Sequence, residues 1–218
     1  MNTAIIVIGV LLVILIISLI IYYFFYYNKS NIIKYKITLI TDETTFNEEY
    51  SQSFKMNELT TRKTLSIPDL GYGLSFSWEM YIPNKGSNEN WNNKFNIVKP
   101  ILSMNDSPQI GYNPKKNYIS IILKYRDNPF YSKYNEIKIQ NIKQQKWNKY
   151  IIIISGRIVN IYVNNVLEIS KILPSLPVIY DISSEIVLGQ VNNNFHGKIR
   201  NLTLYPFPLH FNDVQNID

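Results

Sequence analysis

The feature that most constrains this chain is an alternation of apolar and polar side chains with a period of two residues. In the stretch 74–82, the apolar residues are Leu74, Phe76, Trp78, Met80 and Ile82, and the residues between them are Ser75, Ser77, Glu79 and Tyr81. Successive side chains of a β-strand point to opposite faces of a sheet, so this pattern predicts a half-buried strand that ends at Pro83. The same alternation recurs at 119–125 and 136–140.

A second group of segments predicts a meander of hairpins. The run Lys149–Ile154 is almost entirely apolar, which is typical of a strand covered on both faces. Ser155-Gly156 would turn it into a second strand, and Asn164-Asn165 would turn that strand into a third. Asparagine tolerates a positive φ, so an Asn-Asn pair suits a two-residue hairpin turn. Many short strands separated by turn residues predict an all-β sandwich or barrel.

The N-terminal part of the chain predicts a membrane anchor. Residues 4–27 contain no charged side chain and are almost wholly apolar. A helix of about 24 residues spans about 36 Å, which exceeds the hydrocarbon core of about 30 Å. The segment ends in the aromatic run Tyr22–Tyr27, which suits the membrane–water interface and does not suit the small-residue cleavage site of a signal peptide. We therefore predict a single transmembrane helix within an anchor at residues 1–28.

The residues after the anchor predict its orientation and the domain boundaries. Lys29, Lys34 and Lys36 follow the apolar segment, and positive flanks stay on the cytosolic side, close to lipid headgroups. Residues 29–64 are predicted to be a basic juxtamembrane segment and a stalk, with one edge strand at Lys36–Ile40. Residues 65–218 are predicted to be the folded domain.

Composition excludes several classes of protein. The chain of 218 residues has no cysteine, which excludes disulfides, cysteine-based zinc sites and a cysteine nucleophile. Its net charge of +6 is spread without a dense basic run, so no nucleic-acid partner is expected. Asn, Ile, Lys and Tyr are frequent, which favours an A/T-rich genome such as that of a large DNA virus or a protist. A virion membrane is therefore one candidate location.

Several motifs of the C-terminal half form a recognisable set. They are the Trp147 entry of KWNKY, the IYVNN hairpin, LGQ, FHGKI and LYPFPL. With the earlier SFSWEMYI, this set resembles the laminin-G-like, concanavalin A-like lectin/glucanase superfamily over roughly 67–217, in which such domains often follow an N-terminal anchor in giant viruses and algae. The resemblance implies a jelly-roll β-sandwich of two antiparallel sheets, with Trp147 in the core. Asn165 departs from the glycine that is usual in the family.

Two groups of aromatic and polar residues are candidates for ligand binding, because exposed rings stack on sugar rings while amides and carboxylates bind hydroxyls. Trp91 lies in the loop SNENWNNKF, and the second group comprises Arg126, Asp127, Phe130, Tyr131 and Tyr134. The alternative is structural, since tyrosine is abundant in this chain and aromatic loop residues often cover the end of a sandwich.

No cofactor is required, but calcium is a candidate ligand, because it occurs in many relatives at a loop rim. Side-chain oxygens of Asp and Asn are the ligands it uses. The candidate residues are Asn105, Asp106, Asn192, Asn193 and Asn194. Asn and Asp are also the commonest turn residues, so a purely structural role is the alternative.

The sequence thus predicts a membrane-anchored, non-catalytic recognition or adhesion module that binds a glycan or a protein. The first alternative is a structural membrane protein, such as one that links a viral membrane to capsid shell proteins. The second is a glycoside hydrolase, which would need two carboxyl groups about 5 Å apart. The chain lacks the Glu-x-Asp-x-x-Glu motif of the glucanases, and its nearest pair is Asp181 and Glu185. We therefore expect no enzymatic activity.

Overall fold

The computed structural model describes residues 11–23, 36–55, 73–83, 98–105, 107–126, 132–179 and 184–217. Contacts divide the chain into two units, Met1–Lys36 and Ile37–Asp218. The first unit contains helix α1 at residues 11–23, whose apolar side chains are exposed. Within the described ranges, no helix combines the length and the apolar character that crossing a bilayer requires. Residues 1–10 and 24–28 of the predicted anchor lie outside those ranges.

The described part of the second unit consists of strands, followed by one short helix. Its elements are β1 (Ile37–Ile40), β2 (Thr44–Phe46), β3 (Ser51–Lys55), β4 (Gly73–Tyr81), β5 (Lys99–Met104), β6 (Gln109–Asn113), β7 (Tyr118–Arg126), β8 (Ser132–Gln140), β9 (Trp147–Ser155), β10 (Ile158–Val163), β11 (Val166–Ile172), β12 (Glu185–Gly189), β13 (Gly197–Tyr205) and α2 (Phe211–Asn216).

These strands form two antiparallel sheets, which confirms the predicted all-β sandwich. The seven-stranded sheet has the order β1-β13-β4-β9-β10-β11, and β2 also pairs with β13. The six-stranded sheet has the order β3-β12-β5-β6-β7-β8. Alternate residues of both sheets face one shared core, in which Trp78 stacks on Tyr150 with ring centroids 5.4 Å apart. We call the opposite side of each sheet its outer face.

The sandwich begins closer to the N-terminus than the sequence predicts. Strands β1 and β2 pair with β13, and β3 pairs with β12. The segment predicted as a stalk with one edge strand therefore contributes strands to both sheets, and the second unit starts at Ile37 and not at Leu65. Phe46, the last residue of β2, is fully buried in the core against Phe195.

The core position implied for Trp147 is wrong. Trp147 pairs with Tyr81, which follows the inward-facing Met80 and so lies on the outer face of the seven-stranded sheet. Its ring is half-buried there, packed against Tyr81 and beneath the guanidinium group of Arg200, 4.3 Å from the ring centroid. Arg200 in turn donates two hydrogen bonds to Glu79, at 2.7 and 3.0 Å. Among the described residues, the tryptophan that fills the core is Trp78.

Strand β9 is covered on both faces, as predicted from its apolar run. Ile152 and Ile154 face the core, whereas Ile151 and Ile153 are buried on the outer face. The segment 206–217, which we call the C-terminal strap, crosses that face. Ser75, the partner of Ile153, donates a hydrogen bond to Phe207 O and accepts one from Leu209 N.

The Asn164-Asn165 turn is confirmed as well. Its residues have φ angles of +50° and +66°, and it connects β10 to β11. The Asn164 side chain accepts a hydrogen bond from Lys149 N at 2.9 Å, so this residue also ties the turn to β9.

Candidate functional site

A groove lies on the outer face of the six-stranded sheet, and we call it the outer groove. Its volume is about 430 Å³, within the range that binds a small ligand. It is lined by apolar and uncharged polar residues of β5, β6, β7 and β12 and of the residues beside them: Val98, Pro100, Leu102, Ser103, Gln109, Ile110, Gly111, Ser120, Ile122, Val187, Gly189 and Gln190.

The groove exists because β5 is irregular and its neighbours carry small residues. The pairing of β5 with β6 shifts between Pro100 and Leu102, which marks a bulge. The bulged strand comes so close to Gly111 that a Cβ there would lie 2.5 Å from Val98 Cγ1 and 2.8 Å from Lys99 O. Gly111 pairs with Ser120, so no large side chain of β6 or β7 fills the groove at this register.

An ion pair lies beside the groove on β8. Glu136 accepts a hydrogen bond from Ser120 Oγ at 2.7 Å, and its other oxygen is 2.9 Å from Lys138 Nζ. Burial alone would raise the pKa of Glu136, but the hydrogen bonds from Lys138 and Ser120 and the lysine charge lower it below its usual value. The pKa of Lys138 is raised by the same contact. Glu136 is therefore ionised at neutral pH and acts as a hydrogen-bond acceptor.

The other end of the groove is formed by Gln190, the first residue of the loop Gln190–Asn194 that follows β12. Asn194 is buried and holds this loop: its Oδ1 accepts from Gln190 N at 2.8 Å, and its Nδ2 donates to Asn47 O and Tyr50 O, both at 2.6 Å. Asn193 bridges Lys99 and Gln190 through its side-chain amide. The groove end is thus fixed by side-chain hydrogen bonds to the turn between β2 and β3.

One predicted ligand residue lies on the same face as the groove. Tyr134 pairs with Lys124, two residues from Ile122, so its side chain shares the outer face with the groove lining. It is 56% exposed and lies about 7 Å along β8 from Glu136. Arg126 is the last residue of β7, while Trp91, Asp127, Phe130 and Tyr131 lie outside the described residues. Their part in binding stays a prediction.

The candidate calcium ligands are not brought together within the part of the chain that the structure describes. Asn105 Oδ1 accepts from Glu185 N at the start of β12, whereas Asn192, Asn193 and Asn194 follow the end of that strand, roughly 13 Å away. The side-chain oxygens of Asn193 and Asn194 accept hydrogen bonds from within the protein.

The described residues contain no group of three or more His, Asp or Glu side chains that could hold a metal ion. Asp106 lies outside the described residues. The calcium site therefore stays a prediction.

Sequence reasoning missed the polar residues that the groove offers. Ser120, Glu136 and Lys138 are the outward members of predicted alternations, and nothing in the local sequence distinguishes them from ordinary solvent-exposed positions. Gln190 and Ser103 join them only through the pairing of β12 with β5. The one available signal was Gly111 between Ile110 and Tyr112, because a glycine inside a strand indicates a close approach of backbone or ligand.

Comparison with solved structures identifies the architecture. The binding domain of botulinum neurotoxin serotype D aligns with a TM-score of 0.59 and 16% identity, over 82% of this chain and 42% of that chain. The serotype G binding domain aligns with a TM-score of 0.53 and 15% identity, over 81% and 44%. A receptor-binding domain of botulinum neurotoxin D gives 0.59 and 16%, over 82% and 44%.

This likeness shows the fold, an all-β, concanavalin A-like sandwich, which confirms the resemblance at the level of architecture. The chain spans less than half the length of the solved structures named above. No protein-family model and no curated protein matches the sequence.

Proposed function

We propose that this protein is a non-catalytic recognition module that is held at a membrane by its N-terminal segment and binds a glycan in the outer groove. The observation that carries the proposal is the groove itself, which combines apolar side chains with hydroxyl and amide groups and has the carboxylate of Glu136 beside it. Similar folds in domains described as receptor-binding support a binding role.

The chemistry of the groove suits a sugar better than a charged ligand. Ile122 and Val187 offer apolar surface for the C–H faces of a sugar ring, while Ser103, Gln109 and Gln190 offer hydrogen bonds. The two ionised groups nearby, Glu136 and Lys138, neutralise each other. Tyr134 extends the same face with an exposed ring of the kind that stacks on pyranoses.

A blocking substitution tests the groove. The full chain is purified in lipid nanodiscs and applied to a glycan array, together with its Val187→Arg and Val166→Arg variants. Val187 lies in the groove, and Val166 is 65% exposed on the edge strand β11 of the other sheet. We expect Val187→Arg to abolish binding and Val166→Arg to leave it unchanged. Absence of any bound glycan, or equal binding by both variants, refutes the assignment of the groove.

The membrane tether is the second part of the proposal. It is supported by the uncharged stretch 4–27 and the lysines after it, which favour a cytosolic position for the sandwich. Protease protection of the membrane-inserted chain tests both points. A fragment that resists carbonate extraction and carries residues 1–28 is expected, with the sandwich digested from the cytosolic side. Full extraction of the chain by carbonate would contradict the tether.

A further inference from the structure

We propose that Lys99 is a positioning residue that sets the hydrogen-bonding direction of Gln190, so that this end of the outer groove donates to an acceptor oxygen of the ligand. The inference rests on the proposed function, because it states how the groove selects its ligand. It names a hydroxyl-rich, neutral sugar as the class of ligand.

The first step is the contact between Lys99 and Asn193. Lys99 is only 6% exposed, and its Nζ lies 2.8 Å from Asn193 Oδ1. An ammonium group only donates hydrogen bonds, so the atom that faces it must be the amide oxygen of Asn193. The contact therefore removes the ambiguity that otherwise attends the orientation of a side-chain amide.

The second step passes this orientation to Gln190. With its oxygen on Lys99, Asn193 turns Nδ2 towards Gln190 and donates to Gln190 Oε1 at 3.0 Å. Gln190 Oε1 is thereby held towards Asn193. No residue in the described part of the chain accepts a hydrogen bond from Gln190 Nε2, and Gln190 lines the groove. The N–H groups of Nε2 are thus left for a ligand.

The third step concerns the serines of the groove lining. Ser120 Oγ donates to Glu136 Oε1, and Ser103 Oγ donates to Asn105 O at 2.5 Å. A hydroxyl whose proton is engaged still accepts through its lone pairs. The groove therefore offers a donor at Gln190 and an acceptor at Ser103, whereas Ser120 is fully buried and only holds Glu136 in place. A sugar satisfies both, since each hydroxyl donates one hydrogen bond and accepts others.

The variant Asn193→Asp reverses the direction of the hydrogen bond between residue 193 and Gln190, while it keeps the contact with Lys99. Aspartate accepts from Lys99 Nζ as asparagine does, but it cannot donate to Gln190 Oε1. Gln190 then turns Nε2 towards the carboxylate and presents Oε1 to the groove. Asn212→Asp is the matched control, because Asn212 is exposed on α2 and makes the same change of charge elsewhere.

Nuclear magnetic resonance reads this reversal without any ligand. In the full chain labelled with side-chain ¹⁵N glutamine, we expect the Gln190 amide protons to exchange rapidly with water. In Asn193→Asp they should shift downfield and exchange at least tenfold more slowly, because they bind a carboxylate. Lys99→Arg, which keeps a donor-only cation, should resemble the wild type, whereas Lys99→Met should give two orientations of the amide. An unchanged Gln190 resonance in Asn193→Asp overturns the inference.

A glycan array gives the second measurement. Glycans bound by the wild type should bind Asn193→Asp at least tenfold more weakly and Asn212→Asp equally well. If the wild type binds no glycan but the resonances behave as expected, the proposed function fails and the positioning role of Lys99 stands. If glycans bind both variants equally, the groove binds sugar but Lys99 does not set its direction, and the inference is refuted.

Discussion

Replacing Asn194 with alanine removes three hydrogen bonds at once from the loop between β12 and β13. The side chain is 1% exposed, accepts from Gln190 N, and donates to Asn47 O and Tyr50 O. A net contribution of about 1 kcal/mol per hydrogen bond gives about 3 kcal/mol. Backbone groups left buried and unpaired raise the expected loss to about 3–5 kcal/mol, a large part of a total stability of about 5–15 kcal/mol.

Asn194→Asp should be more harmful than Asn194→Ala, although it is isosteric. The carboxylate still accepts the hydrogen bond from Gln190 N. Its second oxygen, however, places negative charge beside the carbonyl oxygens of Asn47 and Tyr50, which accept hydrogen bonds from Asn194 Nδ2 in the wild type. Since the predicted calcium site includes Asn194, the two variants also distinguish a hydrogen-bonding role of this residue from a role as a calcium ligand. A calcium ligand would tolerate aspartate, and its stability would rise with calcium.

Urea denaturation of the full chain, with and without calcium, measures the effect. We expect both variants to unfold at lower urea than the wild type, with Asn194→Asp lowest and with calcium making no difference. Asn212→Ala on the exposed face of α2 is the control and should change stability by less than about 0.5 kcal/mol. A wild-type-like Asn194→Asp, or one rescued by calcium, would refute the hydrogen-bonding role.

Three further predictions concern a close contact, a turn and an ion pair. Gly111→Ala should lower the free energy of unfolding by about 1–3 kcal/mol and weaken glycan binding, because the added Cβ displaces the β5 bulge. An unchanged melting temperature in thermal denaturation would contradict the close contact at Gly111. Asn165→Gly should stabilise by about 0.5–1 kcal/mol, since it relieves a positive φ and removes an amide oxygen that has no partner among the described residues. Asn164→Gly should instead destabilise by about 1 kcal/mol, because the Lys149 hydrogen bond is lost, and equal shifts would refute the distinction. Burial raises the pKa of Glu79, but hydrogen bonds from Arg200 and Asn201 outweigh it and lower this pKa below its usual value. The ionised Glu79 side chain therefore stabilises the fold fully above about pH 4.3, and this stabilisation is lost as the pH falls through the lowered pKa. Acid titration of unfolding should show this loss in the wild type and not in Glu79→Gln.

The strands with a marked local pattern could be predicted from the sequence. The alternation from Leu74 to Ile82, in β4 and the residue after it, correctly assigns the apolar side chains to the core, although Ser75 and Ser77 on the outer face are buried as well. The turn at Asn164-Asn165 was also predictable, because its geometry depends on two residues that tolerate a positive φ. Local signals of this kind need no knowledge of the partner strand.

What the sequence did not predict depends on partners distant in the chain. The side chains of strand β3 are all exposed or half-buried, so its sequence shows no alternation of apolar and polar residues that would identify it as a strand. In β9 the apolar run hides which residues face inward, so only the register with β4 places Trp147 on the outer face. The groove arises from a bulge in β5 and a loop more than eighty residues later in the sequence, whose contact no local pattern encodes.

The position of β13 between β1 and β4 has a consequence for biosynthesis. Strands β1 and β2 find their only described sheet partner about 150 to 170 residues downstream, so a nascent chain must keep them unpaired until β13 has left the ribosome. Closing so long a loop slows folding, because its entropic cost precedes any gain from the contacts. Until then Ile37, Leu39 and Phe46, which are buried in the folded domain, stay exposed to water, so co-expression with a chaperone that shields apolar segments should raise the yield of folded protein.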